Sequence, residues 1–172
     1  TDWALSLAAL HNLTDNVNLY ANFSRGFFFP QIRGFAPVAG IPNTNYDSEK
    51  ITQFEVGAKL GTEKLSGSLA TYYVSLKDRI KITQGFVNGS LVDLTRSEQS
   101  TSTLGLEANW SYKLTENFDF RGSATYQNHE ITKNTDEDLV TGGSTEVNVG
   151  NELARQPNFL TSMGLHFDNS SF

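Results

Sequence analysis

The chain has no cysteine, one methionine and four prolines in 172 residues. The missing thiols exclude disulfide scaffolds, thiolate metal centres and cysteine nucleophiles together. Basic residues are also short: 13 Lys and Arg stand against 19 Asp and Glu, a net charge of −6. That balance argues against nucleic acid as a partner, because phosphate neutralisation needs a cationic surface. No apolar run approaches the roughly 20 residues of a membrane-spanning helix, and the helical spacing of apolar residues is missing almost throughout. His11, His129 and His166 lie far apart and share no metal-ligand spacing. The start at Thr1-Asp2-Trp3 has neither an initiator methionine nor a basic-then-apolar leader, so the expectation is a piece of a longer protein.

What is present is aromatic: 12% of residues, in a chain whose mean hydropathy is −0.36. Alternation with period two accounts for much of it. Leu104, Leu106, Ala108, Trp110 and Tyr112 occupy one row, and Gly105, Glu107, Asn109 and Ser111 the other. Phe118, Phe120, Gly122, Ala124 and Tyr126 alternate in the same way with Asp119, Arg121, Ser123, Thr125 and Gln127. Val17 to Ser24 and Gln53 to Leu60 repeat the pattern, and Trp3 to Leu10 and Phe159 to Phe167 show it more weakly. Ser66 to Lys77 is apolar or aromatic on both rows, so it is predicted as a strand without assigned faces.

The connections alternate too. His11–Asn16, Thr62–Leu65 and Lys113–Asn117 are short and polar, whereas Arg25–Lys50, Lys81–Gln99 and Ile131–Gln156 are long. Compact soluble domains favour connections of about 4–6 residues; a transmembrane β-barrel puts tight turns on one rim and long loops on the other. An internal echo marks two of the short turns, Leu13-Thr14-Asp15-Asn16 and Leu114-Thr115-Glu116-Asn117. With long loops outside, Trp3, Phe23, Phe54, Tyr126 and Phe159 fall near the outer rim, and Trp110, Tyr112, Phe118, Phe120 and Phe167 near the inner rim. Aromatic ends around small or aliphatic centres are the pattern of a lipid-facing band. On the opposite row Glu55, Lys59, Glu107, Asn109, Asp119, Arg121 and Gln127 would share one interior, which must then hold water or a polar plug. Seven predicted strands cannot close a barrel of even strand number, and a bare β edge is not viable in lipid. The expectation is therefore a fragment of a larger wall.

Five segments, in order, resemble the TonB-dependent outer-membrane receptors of Gram-negative bacteria: VNLYANFSRGF over residues 17–27, YDSEK over 46–50 continuing to FEVGAK over 54–59, ATYYVSLKDRI over 70–80, TLGLE over 103–107 and GNELARQP over 150–157. Phe28 and Phe29 depart from the family's more usual Arg-Ala, and Asn158-Phe159 from a Pro-His or Pro-Lys pair, departures that bear on the ligand. The resemblance implies an all-β, antiparallel, up-and-down transmembrane barrel of 22 strands around an N-terminal plug, of which this chain supplies about seven, with residues 1–172 forming part of the barrel domain and the plug and terminal strands lying outside it. It implies an outer-membrane transporter that is no enzyme and carries no cofactor. Such a transporter takes up a ferric siderophore or similar bulky, scarce solute, and contacts TonB through residues outside this chain. Its other partners would be outer-membrane lipid, its own plug domain and the small-molecule chelate.

Ligand contacts are expected from the loop 25–50, where Arg25 and Arg33 stand among Phe27, Phe28, Phe29, Phe35 and Tyr46. Cations among aromatic rings suit an anionic, aromatic chelate, although loop packing and an interfacial girdle would use the same residues. Asp136-Glu137-Asp138 lacks the spaced ligands and glycine of a calcium loop, and Glu55 and Glu107 alone do not make a hydrolase. The alternatives are a passive porin-like barrel, or a surface β protein that binds carbohydrate or protein through aromatic loops.

Overall fold

The structure, a computed structural model, describes residues 2–29, 47–138 and 140–168. Eight strands form one antiparallel sheet: β1 (Leu5–Thr14), β2 (Val17–Phe28), β3 (Glu49–Gly61), β4 (Leu65–Val87), β5 (Ser90–Lys113), β6 (Phe118–Asp138), the short β7 (Ser144–Glu146) and β8 (Phe159–Phe167). Each of β1 to β6 pairs with the next in sequence, and β6 pairs with both β7 and β8. All seven strands expected from alternation are present, and β7 is added.

The turns at one end are closed by threonine. In the two echoed segments the backbone N–H of Asn16 donates to Thr14 Oγ1, and that of Asn117 to Thr115 Oγ1, each at 3.3 Å. Thr62 Oγ1 donates to the carbonyl of Leu65 at 2.8 Å and accepts from its N–H at 2.9 Å. A hydroxyl that substitutes for a backbone partner is what makes such short reversals possible.

At the other end the structure corrects the expected loops. Residues 81–99 are no loop: β4 and β5 continue as a paired hairpin to a two-residue turn, Asn88-Gly89, with φ of 50° and 82°. Left-handed φ at both turn positions matches the right-handed twist of the flanking strands. The third expected loop, 131–156, likewise begins as an extension of β6 to Asp138 and returns through β7. A strand crosses the bilayer in about 9–11 residues, so the 23 residues of β4 carry it about 40 Å beyond.

Two irregularities separate the lower sheet from this upper part. Between Leu76↔Thr101 and Arg79↔Gln99, Lys77 and Asp78 both stand opposite Ser100, a β-bulge with Asp78 at φ 60°. Between Thr101↔Ile131 and Ser100↔Lys133, Thr132 is the extra residue. Each bulge reverses the inside-outside parity of its own strand.

No second layer covers the sheet among the described residues. Of the residues described, only Ala70 and Ile131 are buried hydrophobics, while Leu7, Leu69, Leu104, Tyr126, Met163 and Leu165 are all between 52% and 68% exposed. A water-soluble domain folds by removing such side chains from water; this sheet does so only if lipid covers the apolar face.

Candidate functional site

Register assigns every lower residue to a face. Across β2, β3, β4 and β5 one row reads Phe23↔Phe54↔Tyr73↔Leu104, and two positions lower Ala21↔Val56↔Thr71↔Leu106. Near the tight turns the same face carries Tyr112↔Phe120 and Phe118↔Phe167, the latter with ring centroids 4.8 Å apart. This apolar face is edged by rings at both ends. Register also settles the strand whose faces the sequence leaves open: Leu69, Thr71 and Tyr73 join the apolar face, and Ser68, Ala70 and Tyr72 the polar one.

The polar face gathers all seven residues expected there. Asn22↔Glu55↔Tyr72 and Asn18↔Lys59↔Ser68↔Asn109 run across β2 to β5, and Ala70↔Glu107↔Thr125 and Ser111↔Arg121 complete the wall. Arg121 Nη2 lies 2.8 Å from Asp119 Oδ2. Asn109 Nδ2 reaches Ser68 Oγ at 3.5 Å. Gln127 joins two elements: its Oε1 accepts from the Tyr72 hydroxyl at 3.0 Å, and its Nε2 donates to the Pro157 carbonyl at 3.1 Å.

Two tyrosines that sequence reasoning did not single out shape this wall. Tyr20 lies over Gly57, whose added Cβ would sit 2.6 Å from the ring's Cζ, and Tyr72 lies over Gly105. Each is the direct cross-strand partner of its glycine, so the missing side chain is what lets the ring lie flat on the sheet. Lys59 Nζ stands 5.3 Å from the Tyr20 ring centroid. Tyr20 was visible as a member of the polar row; its use as a flat paving residue was not, because the glycine partner is remote in sequence. His129 is a second omission. It is buried on the polar face, with Nδ1 2.8 Å from Thr103 Oγ1 and no partner for Nε2 among the described residues.

Of the residues expected to bind ligand, the four that are described divide between the two faces. Arg33, Phe35 and Tyr46 lie outside the described residues. Arg25 and Phe27 belong to β2 on the row of Phe23, the apolar face, with the Arg25 guanidinium 4.4 Å above the Trp3 ring centroid. Phe27 meets Phe29 edge-on at 5.2 Å. Phe28, at the upper end of β2 and 61% exposed, falls on the polar row.

Above the ring-edged band the outward surface turns ionic: Lys50 Nζ is 3.2 Å from Asp78 Oδ2, Lys133 Nζ 2.6 Å from Glu98 Oε1, and Arg96 pairs with Glu137. The hydrogen bond from Glu98 raises the Lys133 pKa above its ordinary value. At the turn after β6 the Asp138 carboxylate accepts from the N–H groups of Val140 and Thr141 at 2.8 and 3.0 Å. Hydrogen bonding from Thr141, side chain first and then backbone, holds the Asp138 pKa below its ordinary value. Among the described residues no group of three His, Cys, Asp or Glu could hold a metal ion.

Comparison with known proteins agrees with this division into a lipid face and a polar face. A search of curated proteins finds no match. Eighteen solved chains match; one is a protein named "Copper transporter OprC", with a TM-score of 0.64 and 18% identity over 96% of this chain. The chain spans 24% of that protein's length. At that identity the likeness speaks for the fold alone. The family described as "TonB dependent receptor-like, beta-barrel" matches residues 1–172, from end to end, and the chain therefore belongs to the β-barrel domain of the TonB-dependent receptors of the outer membrane.

Proposed function

We propose that the whole receptor imports a bulky, scarce solute across the outer membrane with energy from TonB, and that the solute is a ferric siderophore. The observation that carries this reading is the wall's two-sidedness. The face opposite the lipid holds Glu55, Lys59, Glu107, Asp119 and Arg121 in continuous rows, a surface that suits a hydrated, polar plug domain rather than a dry core. A passive porin would share the polar wall; family membership favours the receptor. The third reading, a surface β protein in water, conflicts with the uncovered apolar face.

For the solute, a chelate fits better than a bare soft cation. The chain has no cysteine, and its one methionine, Met163, stands on the lipid face opposite Gly122, so this wall offers no inward sulfur ligand. Phe28, which the polar row turns inward, is the first candidate contact; Arg33, Phe35 and Tyr46, outside the described residues, are proposed contacts on their sequence pattern alone. An iron catecholate presents aromatic rings and negative charge to such groups. The test is uptake of radiolabelled iron by cells that depend on the full-length receptor, offered as a catecholate complex, a hydroxamate complex or copper salt. Catecholate-dependent uptake that falls at least tenfold in Phe28→Ala with Arg33→Gln, at equal surface level, is the expected result. Copper uptake without iron uptake would refute the siderophore assignment.

A further inference from the structure

Just above the ring of Phe23, Phe54 and Tyr73, on the face that meets lipid, three cations stand where headgroups begin: Arg25 on β2, Lys50 on β3 and Lys77 on β4. Lys50 and Lys77 are direct cross-strand partners, an arrangement of like charges that costs stability unless anions compensate it. Among the described residues only one of them has an ion pair. Asp78 binds Lys50 at 3.2 Å, and Asp47 and Asp2 add their fields at Lys50 too. Asp2 is further held by the Ser48 hydroxyl at 2.7 Å. Lys77 is exposed and has no ion-pair partner among the described residues.

Among the described residues Arg25 likewise has no carboxylate partner; its guanidinium rests on Trp3, a contact that orients it at the lipid boundary without neutralising it. Along Arg25's own row, Thr52, Ser75 and Ser102 follow before Glu130 is reached, four strand spacings or about 19 Å away. Arg25 and Lys77 lie two strands and two residues apart, about 12 Å between Cα atoms. Two long side chains can close that gap on one phosphorylated headgroup.

We propose that Arg25 and Lys77 form a docking site for a phosphate-bearing lipid of the outer leaflet, whose acyl chains lie over Phe54 and Tyr73 and whose phosphate completes the charge that Asp78 leaves open at Lys77. Each basic residue at a membrane surface strengthens anionic lipid binding about fivefold, so removing both should weaken it about thirtyfold. The probe is a bis-phosphorylated glycolipid in mixed micelles, titrated into the full-length receptor, with the same glycolipid lacking phosphate as the control. Arg25→Gln with Lys77→Gln is expected to lose about thirtyfold, while Arg25→Lys with Lys77→Arg stays within threefold of the parent and Lys133→Gln, whose lysine is already paired with Glu98, leaves binding unchanged. Heat-modifiable gel mobility reports that each variant is folded. If parent and doubly neutral variant bind alike, or the phosphate-free lipid binds as well as the phosphorylated one, the proposal is overturned. Displacement of the lipid by equal concentrations of inorganic phosphate would overturn it as well, since the site would then belong to the free anion.

Discussion

One methyl group added at Gly105 is expected to lift Tyr72 off the polar wall. A Cβ there would overlap the ring's Cζ and hydroxyl oxygen, and non-bonded carbons rest at about 3.5–4.0 Å, so the ring must move by more than about 1 Å. The Tyr72–Gln127 hydrogen bond, 3.0 Å long, does not survive such a shift. Its loss costs about 1 kcal/mol and the forced repacking about 1–3 kcal/mol. Replacing glycine in a strand returns about 0.5–1 kcal/mol. Gly105→Ala should therefore destabilise the barrel by about 1–3 kcal/mol. In a Tyr72→Ala background only the last contribution remains, and the same substitution should stabilise by about 0.5–1 kcal/mol. The measurement is the urea midpoint of the full-length receptor refolded into vesicles, in all four combinations. A cost that is equal with and without the Tyr72 ring refutes the reasoning, because the ring would then not be what occupies the glycine's space.

Three further outcomes follow from other parts of the sheet. Ala108→Arg, on the apolar face between Leu69 and Ala124, should destabilise by about 2–4 kcal/mol, while Asn109→Arg, one residue on, stays within about 0.5 kcal/mol; refolding titrations that show equal effects contradict the assigned faces. Gly89→Ala, at φ 82°, should weaken the hairpin tip by about 1 kcal/mol. Faster amide exchange from Phe86 to Leu91, with the barrel's thermal midpoint unmoved, is the signature. The depressed pKa of Asp138 means that its contribution to the turn is complete above the ordinary carboxylate pKa and is lost as pH falls through the lower, folded value. Protection factors at Val140 and Thr141, which remove the intrinsic pH dependence of amide exchange, should fall only over that acidic interval and stay constant with pH in Asp138→Asn; a fall in protection near neutrality would contradict it.

Strands were legible wherever lipid enforces a difference between the two rows, as at Leu104–Tyr112 against Gly105–Ser111. Above the bulges they were missed, although Ile80 and Ile82 alternate with Arg79, Lys81 and Thr83 and Asn88-Gly89 stands between Phe86-Val87 and Leu91-Val92. The extra residue at Asp78 shifts the phase, so the period set by Leu69, Thr71 and Tyr73 does not carry across it. Tyr72 obscured β4 for a different reason: an aromatic residue on the polar row breaks the pattern unless its glycine partner, 33 positions away, is known. The seven polar-wall residues share one face of the sheet, a grouping that parity alone gives. The place of Arg25 beside Trp3 on the apolar face was not legible, because a cation in an aromatic loop and a cation at a lipid boundary have the same neighbours in sequence.

The bulges at Asp78 and Thr132 have an evolutionary consequence. Below them parity is locked, since one inserted or deleted residue in β4 would turn Leu69, Thr71 and Tyr73 inward and put Ser68 and Tyr72 into hydrocarbon. Above them each strand has already absorbed an extra residue with its pairing intact. The wall thus behaves as a fixed frame carrying a region free to change length by single steps, so that the outer surface of such a receptor can diversify by indels as well as by substitution without disturbing the part that lives in the membrane.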